Sequence, residues 1–289
     1  MSPTSALPVD RLSALLERFR VHAHLFHAGA LCGVTHFDAA QGRGFLHVLR
    51  RGEMVVTHRP RSGALRKIKV SEPTLLFYPR PLEHQFHNAP TEGADFVCAT
   101  VDFEGGARHP VVAALPPVVV LPLCSVDGLE QTLALLFAET ERVRCGQRLL
   151  ADRLFEVLLL QLLRWLLDHP DQAGMPAGLI YGLAHPKLAR ALTAMHESPG
   201  AAWALEPMAQ AAGMSRSAFA AEFKLHLGVT PAEYLLQWRV SLAQSMLLAG
   251  TSIKLASEKL GYASAASFSR AFAQSVGAAP RTWLQGRQP

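Results

Sequence analysis

The C-terminal part of the sequence contains the same short pattern of aromatic and turn-forming residues twice. The first copy consists of Phe219, Phe223, Gly228, Pro231 and Tyr234. The second copy follows 49 positions later and consists of Phe268, Phe272, Gly277, Pro280 and Trp283. A repeat at one fixed spacing predicts that the chain uses one structural unit twice. Two copies are too few for a solenoid, which needs three or more repeats to bury a continuous core.

Each copy has the pattern of a helix-turn-helix. Gly213 and Gly261 lie between short apolar segments, where the turn needs a positive φ that a Cβ atom would oppose. Ser215 and Ser264 follow them, and a serine there can cap the second helix by accepting a bond from a free backbone N–H. The Phe-x-x-x-Phe spacing places both rings on the buried face of that helix. The pattern therefore predicts two helix-turn-helix modules on a spacer.

The basic side chains are concentrated in the same part of the chain. Residues 1–179 contain 18 basic and 18 acidic side chains, whereas residues 180–289 contain 10 basic and 5 acidic ones. A net positive segment attracts a polyanion, and phosphate contacts supply the sequence-independent part of DNA affinity. A modest surplus can also serve only solubility. Together with the paired modules, however, it favours double-stranded DNA as the partner.

The segment from about Leu188 to Trp283 resembles the DNA-binding domain of the AraC/XylS family of bacterial transcription regulators. The residues that carry the resemblance are Gly261, Tyr262, Ser264, Phe268, Arg270, Phe272, Gly277 and Pro280. The resemblance implies that a long helix holds both second helices in successive major-groove segments on one DNA face. That helix would begin at Pro231 and run to about Ala249, before Gly250. At 1.5 Å per residue it would span roughly 27 Å, close to the roughly 34 Å of one DNA turn.

The resemblance also implies which residues face DNA. In the first module these are Arg216, Ser217, Ala220, Ala221 and Lys224. In the second module they are Ala265, Ala266, Ser267, Ser269 and Arg270. Arg270 has the fork of donors that reads guanine bidentately, although it could instead pair with a phosphate. Because several of the other positions are alanine, we expect specificity to depend on Arg270, Arg216, a few serines and DNA shape.

The segment from about Leu25 to Val120 has the pattern of a β-rich domain. Short apolar runs separated by Gly and Pro predict strands around Phe45 to Leu49, Met54 to Thr57, Thr74 to Tyr78 and Asp95 to Val101. The segments Phe45 to Gly52 and Glu72 to His84 resemble the two half-motifs of a cupin, and Pro110 to Pro117 resembles the segment that leaves the cupin in some AraC-like regulators. The match departs from metal-dependent cupins, because it has one His where two are usual and lacks the glutamate that follows them.

Nine of the chain's thirteen histidines lie between His22 and His109. Imidazole is a common ligand of zinc and related ions, and alternation along a strand places His22 and His24 on one face. His22, His24, His47 and His84 are therefore candidate ligands of a divalent metal in the cupin-like domain. Surface or capping histidines, or a pocket for a pH signal or an organic ligand, are the alternatives.

The four cysteines have no paired short spacing of the kind that structural zinc sites use. Cys32 and Cys98 both fall in the β-rich segment and are candidates for redox sensing through a disulfide or an oxidised thiol. The alternative is that they are buried structural residues. Since Met1 to Phe19 lacks the apolar core of a secretion signal, we expect a reducing cytoplasm as the location.

Two apolar stripes at helical spacing lie between the two domains. Leu129, Leu133 and Leu136 form one, and Leu154, Leu158 and Leu162 form the other. Charged residues interrupt the second stripe, so we expect no membrane span. The stripes predict helices that pack against the neighbouring domain or, as is common in AraC-like regulators, form a homodimer. The following segment, from His169 to Gly178, has the composition of a linker.

The sequence thus predicts an α+β multidomain protein. Its parts are a cupin-like β-barrel sensor domain at 1–122, a helical connector at 123–170, a linker at 171–180 and an all-α double helix-turn-helix domain at 181–289. We expect a transcription regulator, more often an activator in this family, that contacts RNA polymerase and responds to an unknown effector in the β domain. A cupin enzyme carrying a DNA-binding address and a purely architectural DNA-binding protein are the competing hypotheses, and the incomplete metal-ligand set argues against the enzyme.

Overall fold

The structure is a computed structural model that describes residues 9–40, 42–60, 63–89, 93–106 and 109–286. The described residues divide into two compact units. One comprises those within Arg20–Ala107 and Val111–Pro176 and contains all of the described strands. The other comprises those within Met1–Phe19, Arg108–Pro110 and Ala177–Pro289 and is helical.

The strands of the β-rich unit form two antiparallel sheets with the orders β1-β8-β3-β6-β9 and β2-β7-β4-β5. The strands are β1 (Val21–Leu31), β2 (Val34–Phe37), β3 (Gly44–Arg51), β4 (Met54–His58), β5 (Arg66–Val70), β6 (Thr74–Tyr78), β7 (His84–His87), β8 (Ala94–Phe103) and β9 (Val119–Pro122). The four strands predicted from the apolar runs lie in β3, β4, β6 and β8. The prediction of a β-rich cupin-like N-terminal domain is therefore confirmed.

The core of this unit lies between the two sheets. Apolar side chains of both sheets meet there, among them Leu49, Val56, Leu76, Phe86 and Phe96, none of which is more than 1% exposed. All five residues of β6 are buried, which explains why its sequence is continuously apolar instead of alternating. Two polar rings, those of His47 and His84, are enclosed with this core, and they are described with the candidate sites.

The helices in chain order are α1 (Ser13–Leu16), α2 (Pro110–Ala114), α3 (Leu129–Thr140), α4 (Gln147–Asp168), α5 (Leu179–Ala184), α6 (Pro186–Glu197), α7 (Leu205–Ala212), α8 (Arg216–Leu227), α9 (Pro231–Leu248), α10 (Ile253–Lys259), α11 (Ala265–Val276) and α12 (Pro280–Gln285). Helices α3 and α4 form the predicted connector and pack within the β-rich unit, α4 against β1. Asp152 of α4 fixes this contact, because its Oδ1 accepts a bond from the Leu25 N–H at 2.7 Å.

The start of the described chain belongs to the helical unit, unlike the predicted 1–122 domain. Leu15 of α1 is fully buried, and the Phe19 ring lies 5.3 Å from that of Trp238. The Arg18 guanidinium donates to the Glu197 carbonyl at 2.8 Å. Residues 9–19 therefore pack with the C-terminal helices, whereas β1 begins the other unit. Residues 1–8 of the predicted domain lie outside the described residues.

The predicted linker at 171–180 consists of turns up to Gly178, after which α5 begins at Leu179. Its last two residues are thus helical. None of the helices in the described ranges is both long and apolar enough to cross a membrane.

Candidate nucleic-acid interface and candidate sensor site

Helices α7 and α8 form the first helix-turn-helix module. Gly213 takes φ +64° in the turn, as the sequence predicts. Ser215 caps α8 by accepting the Ala218 N–H at 3.3 Å. Phe219 and Phe223 are fully buried, so the opposite face of α8 is left for solvent or a partner.

Helices α10 and α11 form the second module, which has the same kind of turn and helix cap. Gly261 takes φ +75° in the turn, and a Cβ atom there would overlap the carbonyl oxygen of Gly200. Ser264 and Ser267 form a capping box at the start of α11. Because Phe268 and Phe272 are fully buried, α11 is held by its apolar face in the same way as α8.

Helix α9 joins the two modules and packs on both of them. Thr230 and Glu233 form a capping box at its start, Pro231 occupies the first turn, and Gly250 follows its end with φ +84°. The predicted ends of this helix are therefore confirmed. Its 18 residues correspond to a rod of about 27 Å at 1.5 Å per residue.

The predicted DNA-facing residues of the first module are mostly exposed on α8. Arg216, Ser217, Ala221 and Lys224 are exposed, and Ala220 is half-buried. The Arg216 Nε lies 3.1 Å from Glu206 Oε2 of α7. Sequence reasoning missed this ion pair, because the two residues are ten positions apart on different helices. A base or phosphate contact by Arg216 would have to replace it.

The second module presents fewer charges on the corresponding face. Arg270 and Ala266 are exposed, whereas Ala265, Ser267 and Ser269 are half-buried. Ser267 is also occupied as a capping residue, since its Oγ donates to the Ser264 carbonyl at 2.8 Å. Arg270 is therefore the one charged side chain of this predicted set, and it is exposed.

Two arginines hold the modules in place without facing the predicted DNA surface. Arg190 donates to the Ala212 carbonyl at 3.0 Å and so supports the first turn. Arg239 of α9 donates to the Pro199 carbonyl at 2.8 Å and the Ala201 carbonyl at 2.9 Å, and its guanidinium lies 5.6 Å from the ring centre of Tyr262 in the second turn. Sequence reasoning did not assign these roles, because they depend on contacts between distant segments.

In the β-rich unit, His47 and His84 face each other in the interior. Their Nε2 atoms are 2.9 Å apart, and His84 Nδ1 donates to the Leu82 carbonyl at 2.8 Å. The Tyr78 ring stacks on His84 with the centroids 4.0 Å apart. In the described part of the chain, His47 Nδ1, His58 Nδ1 and the Tyr78 hydroxyl are buried without a hydrogen-bond partner, which marks this cluster as a candidate sensor site.

Burial keeps these imidazoles neutral. Loss of solvation lowers the pKa of His84 to about 4, with His58 and His36 adding to the shift and the bond to Leu82 opposing it. Burial, followed by the neighbouring His84 and His27, holds the pKa of His47 well below its usual value. Because the neutral His84 ring carries its proton on Nδ1, its Nε2 accepts, and His47 Nε2–H is the donor between the two rings.

The four histidines predicted as metal ligands are not brought together. His22 and His24 lie on the outer face of β1, where His22 is 3.5 Å from Glu156 and His24 is 3.3 Å from Asp152. They point toward α4, whereas His47 and His84 point between the sheets. No group of three or more candidate ligands among the described residues includes any of the four.

Cys32 and Cys98 are also separated. Cys32 is exposed and follows β1, whereas Cys98 is fully buried in β8. Leu31 pairs with Ala94, so Cys98 lies about 13 Å farther along the strand at 3.3 Å per residue. A disulfide needs Cα atoms within about 7 Å. The register therefore excludes a Cys32–Cys98 disulfide in this fold, and burial strongly raises the pKa of the Cys98 thiol.

A cavity of about 750 Å³ opens beside the histidine cluster. Polar and basic side chains line much of it: Thr57, His58, Arg59, Lys67, Glu83, His84, Gln85 and His87. Thr57 Oγ1 and His87 Nε2 are 2.9 Å apart on its wall. The size and the lining suit a small polar molecule.

Comparisons with known proteins agree with this division of the chain. Residues 10–168 match the family model described as "Cupin", and residues 208–286 match a model described as "Helix-turn-helix domain". A putative AraC-like transcription regulator of Streptomyces antibioticus is 32% identical over 65% of this chain and 62% of its own length. A second, from Streptomyces lividans, is 28% identical over 80% of this chain and 77% of its own length. The RCS-specific HTH-type transcriptional activator RclR of Escherichia coli is 27% identical over 71% of this chain and 73% of its own length.

Proposed function

Because the chain belongs to the cupin family over residues 10–168 and to the AraC-like transcription regulators with a helix-turn-helix domain, we propose that it regulates transcription by binding specific double-stranded DNA. The observation that carries this proposal is the pair of capped helices, α8 and α11, joined by the single helix α9. The relatives to which it is similar are named transcription regulators and not enzymes.

The exposed faces of α8 and α11 supply the chemistry for DNA contact. Arg216, Lys224 and Arg270 offer charge-assisted bonds to phosphates and guanine, and Ser217 and Ser269 offer neutral ones. The alanines at 220, 221, 265 and 266 allow close approach to the groove and contact with thymine methyl groups. We therefore assign base reading mainly to Arg270, and to Arg216 once it has exchanged Glu206 for DNA.

We assign the signal to the β-rich unit. The cavity and the three imidazoles at its edge, those of His58, His84 and His87, favour a small polar molecule as the effector. An oxidant is the alternative class of effector, for which the exposed Cys32 is the accessible thiol. A signal here would act by shifting the relative populations of DNA-binding states.

A divalent metal is the weakest of the three candidate signals. His47 Nε2–H donates to His84 Nε2 at 2.9 Å, and this hydrogen bond leaves no room for an ion between the two nitrogens. Among the described residues, no group of three candidate ligands includes His47, His58 or His84, whereas a catalytic zinc site has three protein ligands. The residues of this cluster therefore do not fit a metal in the arrangement that the structure shows.

We also propose that the protein works as a homodimer in the cytoplasm, where promoter DNA and RNA polymerase are found, and that it acts as an activator. Helix α4 supports the dimer, because Leu149, Leu150, Val157 and Leu160 are 38–63% exposed and lie along one side of it. An apolar stripe of this kind is typical of a helix that packs against a partner. The activator role is supported by the name of the Escherichia coli relative.

The test is selection of bound fragments from sheared genomic DNA by the full-length protein, followed by sequencing. The proposal predicts enrichment of one motif with two conserved blocks about one helical turn apart. Binding to all fragments in proportion to length would contradict sequence-specific regulation and favour an architectural role. Repeating the selection with hydrogen peroxide, hypochlorite or extracts of small metabolites would show which class of signal changes occupancy.

A further inference from the structure

Three metal-binding side chains meet behind the first helix-turn-helix module. His185 precedes α6, and Glu222 and His226 lie four residues apart on α8. One potential ligand atom from each lies within 4.8 Å of the others. Residues at i and i+4 share one side of a helix, so the two residues of α8 face His185 together.

His226 is held in one orientation with a free nitrogen. Its Nδ1 lies 2.9 Å from the Glu222 carbonyl oxygen, and a ring nitrogen facing a carbonyl must carry the proton. The lone pair is then on Nε2, the tautomer in which a histidine binds a metal while its other nitrogen is anchored. The Tyr181 ring lies 5.5 Å away, and the Gly178 N–H donates to the His226 carbonyl at 2.8 Å.

His185 closes the group from the other side. Its ring centroid lies 4.8 Å from that of His226. The Nδ1 of His185 accepts the Lys187 and Leu188 N–H groups at 3.3 and 3.2 Å, and a metal bound to this ring would replace these two long capping bonds.

We propose that His185, Glu222 and His226 form a binding site for a divalent transition metal, with zinc as its natural probe. Two imidazoles and one carboxylate are a ligand set that zinc accepts, and water can complete the coordination. The Glu222 side chain is 41% exposed and that of His226 17% exposed, so an ion can enter from solvent while the site keeps one firmly held imidazole.

The location suggests what the metal does. At about 100° per residue, Glu222 and His226 lie on the side of α8 roughly opposite to Arg216, Ala220 and Lys224. The ion would therefore join the start of α6 to α8 without occupying the face assigned to DNA. This consequence depends on the proposed function, whereas the metal site itself does not.

The experiment is titration of the metal-stripped full-length protein with Co²⁺ and Zn²⁺. We expect one equivalent of Co²⁺ to produce visible d–d absorption without a thiolate charge-transfer band, and Zn²⁺ to raise the melting temperature. His226→Asn, Glu222→Gln and His185→Asn should each weaken Zn²⁺ binding more than about tenfold. Because Asn at position 185 can still cap α6, the His185→Asn variant removes the metal ligand without removing the helix cap.

Two control variants test whether histidines outside the proposed site bind the metal. His84→Phe removes the cluster in the β-rich unit, and His169→Asn changes a half-buried histidine at the end of α4. Both should bind the metal as the wild type does. Unchanged Zn²⁺ affinity in His226→Asn and Glu222→Gln, or loss of binding in His84→Phe, would overturn the proposal. Since these measurements contain no DNA, they stand even if the proposed regulatory function fails.

Discussion

Individual side chains determine the proposed DNA contacts and the pH dependence of the protein's stability. Arg216 is the first residue of α8, whereas Arg270 is the sixth residue of α11. Of these two arginines, Arg216 is the one that lies in an ion pair in the described part of the chain. An exposed pair of this kind contributes at most about 1 kcal/mol, so DNA can displace Glu206 at small cost. Arg270 needs no such exchange, which makes it the side chain that most directly tests base reading.

Replacing Arg270 by alanine should relax the preference for one base pair and leave the rest of the motif unchanged. The loss of a bidentate contact to guanine corresponds to about 1–3 kcal/mol of discrimination. Binding-site selection with purified wild type and variant measures it. Arg270→Lys is the matched control, because it keeps the charge for a phosphate but not the planar fork. An identical motif for Arg270→Ala would show that Arg270 contacts only the backbone.

The buried histidines should make the protein sensitive to mild acid. Burial lowers the pKa of His84 to about 4, of His109 to about 4 and of His196 to about 3. Between these values and the unfolded value near 6.5, the unfolded chain binds protons that the folded chain excludes, so stability is complete above about pH 6.5 and falls as the pH decreases toward 4. For His84 alone the loss reaches about 3 kcal/mol.

Urea unfolding of the full-length protein at several pH values between 4.5 and 7.5 measures this slope. His84→Leu should flatten it, because the variant has one fewer group that protonates on unfolding. A wild-type free energy of unfolding that stays constant over this range would contradict neutral buried imidazoles.

The local sequence is sufficient to predict some helices and strands, but it does not predict how all of them pack. Helix α9 was predicted to within a residue, because a proline at its start and a glycine after its end are local signals. The strands of the β-rich unit follow from short apolar runs in the same way. By contrast, the packing of α1 and Phe19 with the C-terminal helices was missed, since only contacts between residues 179 and 219 positions apart reveal it.

The same distinction between local signals and long-range contacts applies to the candidate sites. Helical periodicity predicts which side of α8 and of α11 the Phe rings bury, whereas DNA contact by the exposed positions stays a prediction. The histidine set could not be predicted, because strand alternation tells which residues share a face of one strand but not which strands face each other. His24 and His47 are both histidines on strands, yet one faces a helix and the other the interior.

The two turn glycines should respond differently to substitution. Gly213→Ala places a Cβ in the left-handed region with only the end of Arg190 nearby, which costs about 1–2 kcal/mol. Gly261→Ala has the same strain and also a clash with the Gly200 backbone, so we expect a loss above about 3 kcal/mol. Chemical denaturation of both variants measures the difference. Equal losses would show that the Gly200 contact gives way easily.

At the scale of the whole molecule, the exposed stripe of α4 predicts self-association. Val157 and Leu160 lie within it at 41% and 38% exposure, and a charge in an apolar interface has no partner there. Leu160→Arg should therefore shift the protein from dimer to monomer in sedimentation velocity experiments. Arg148→Glu, an exposed change on the opposite side of the same helix, tests charge alone. A wild-type protein that is monomeric at all concentrations would remove the dimer proposal.

The joint use of both modules on one duplex is tested most directly by hydroxyl-radical footprinting of the full-length protein on a selected operator. Since α9, a helix of 18 residues and about 27 Å, joins the two modules, each monomer should protect two patches about one helical turn apart on the same face of the DNA. A single protected patch, or two patches on opposite faces, would contradict simultaneous binding by the two modules.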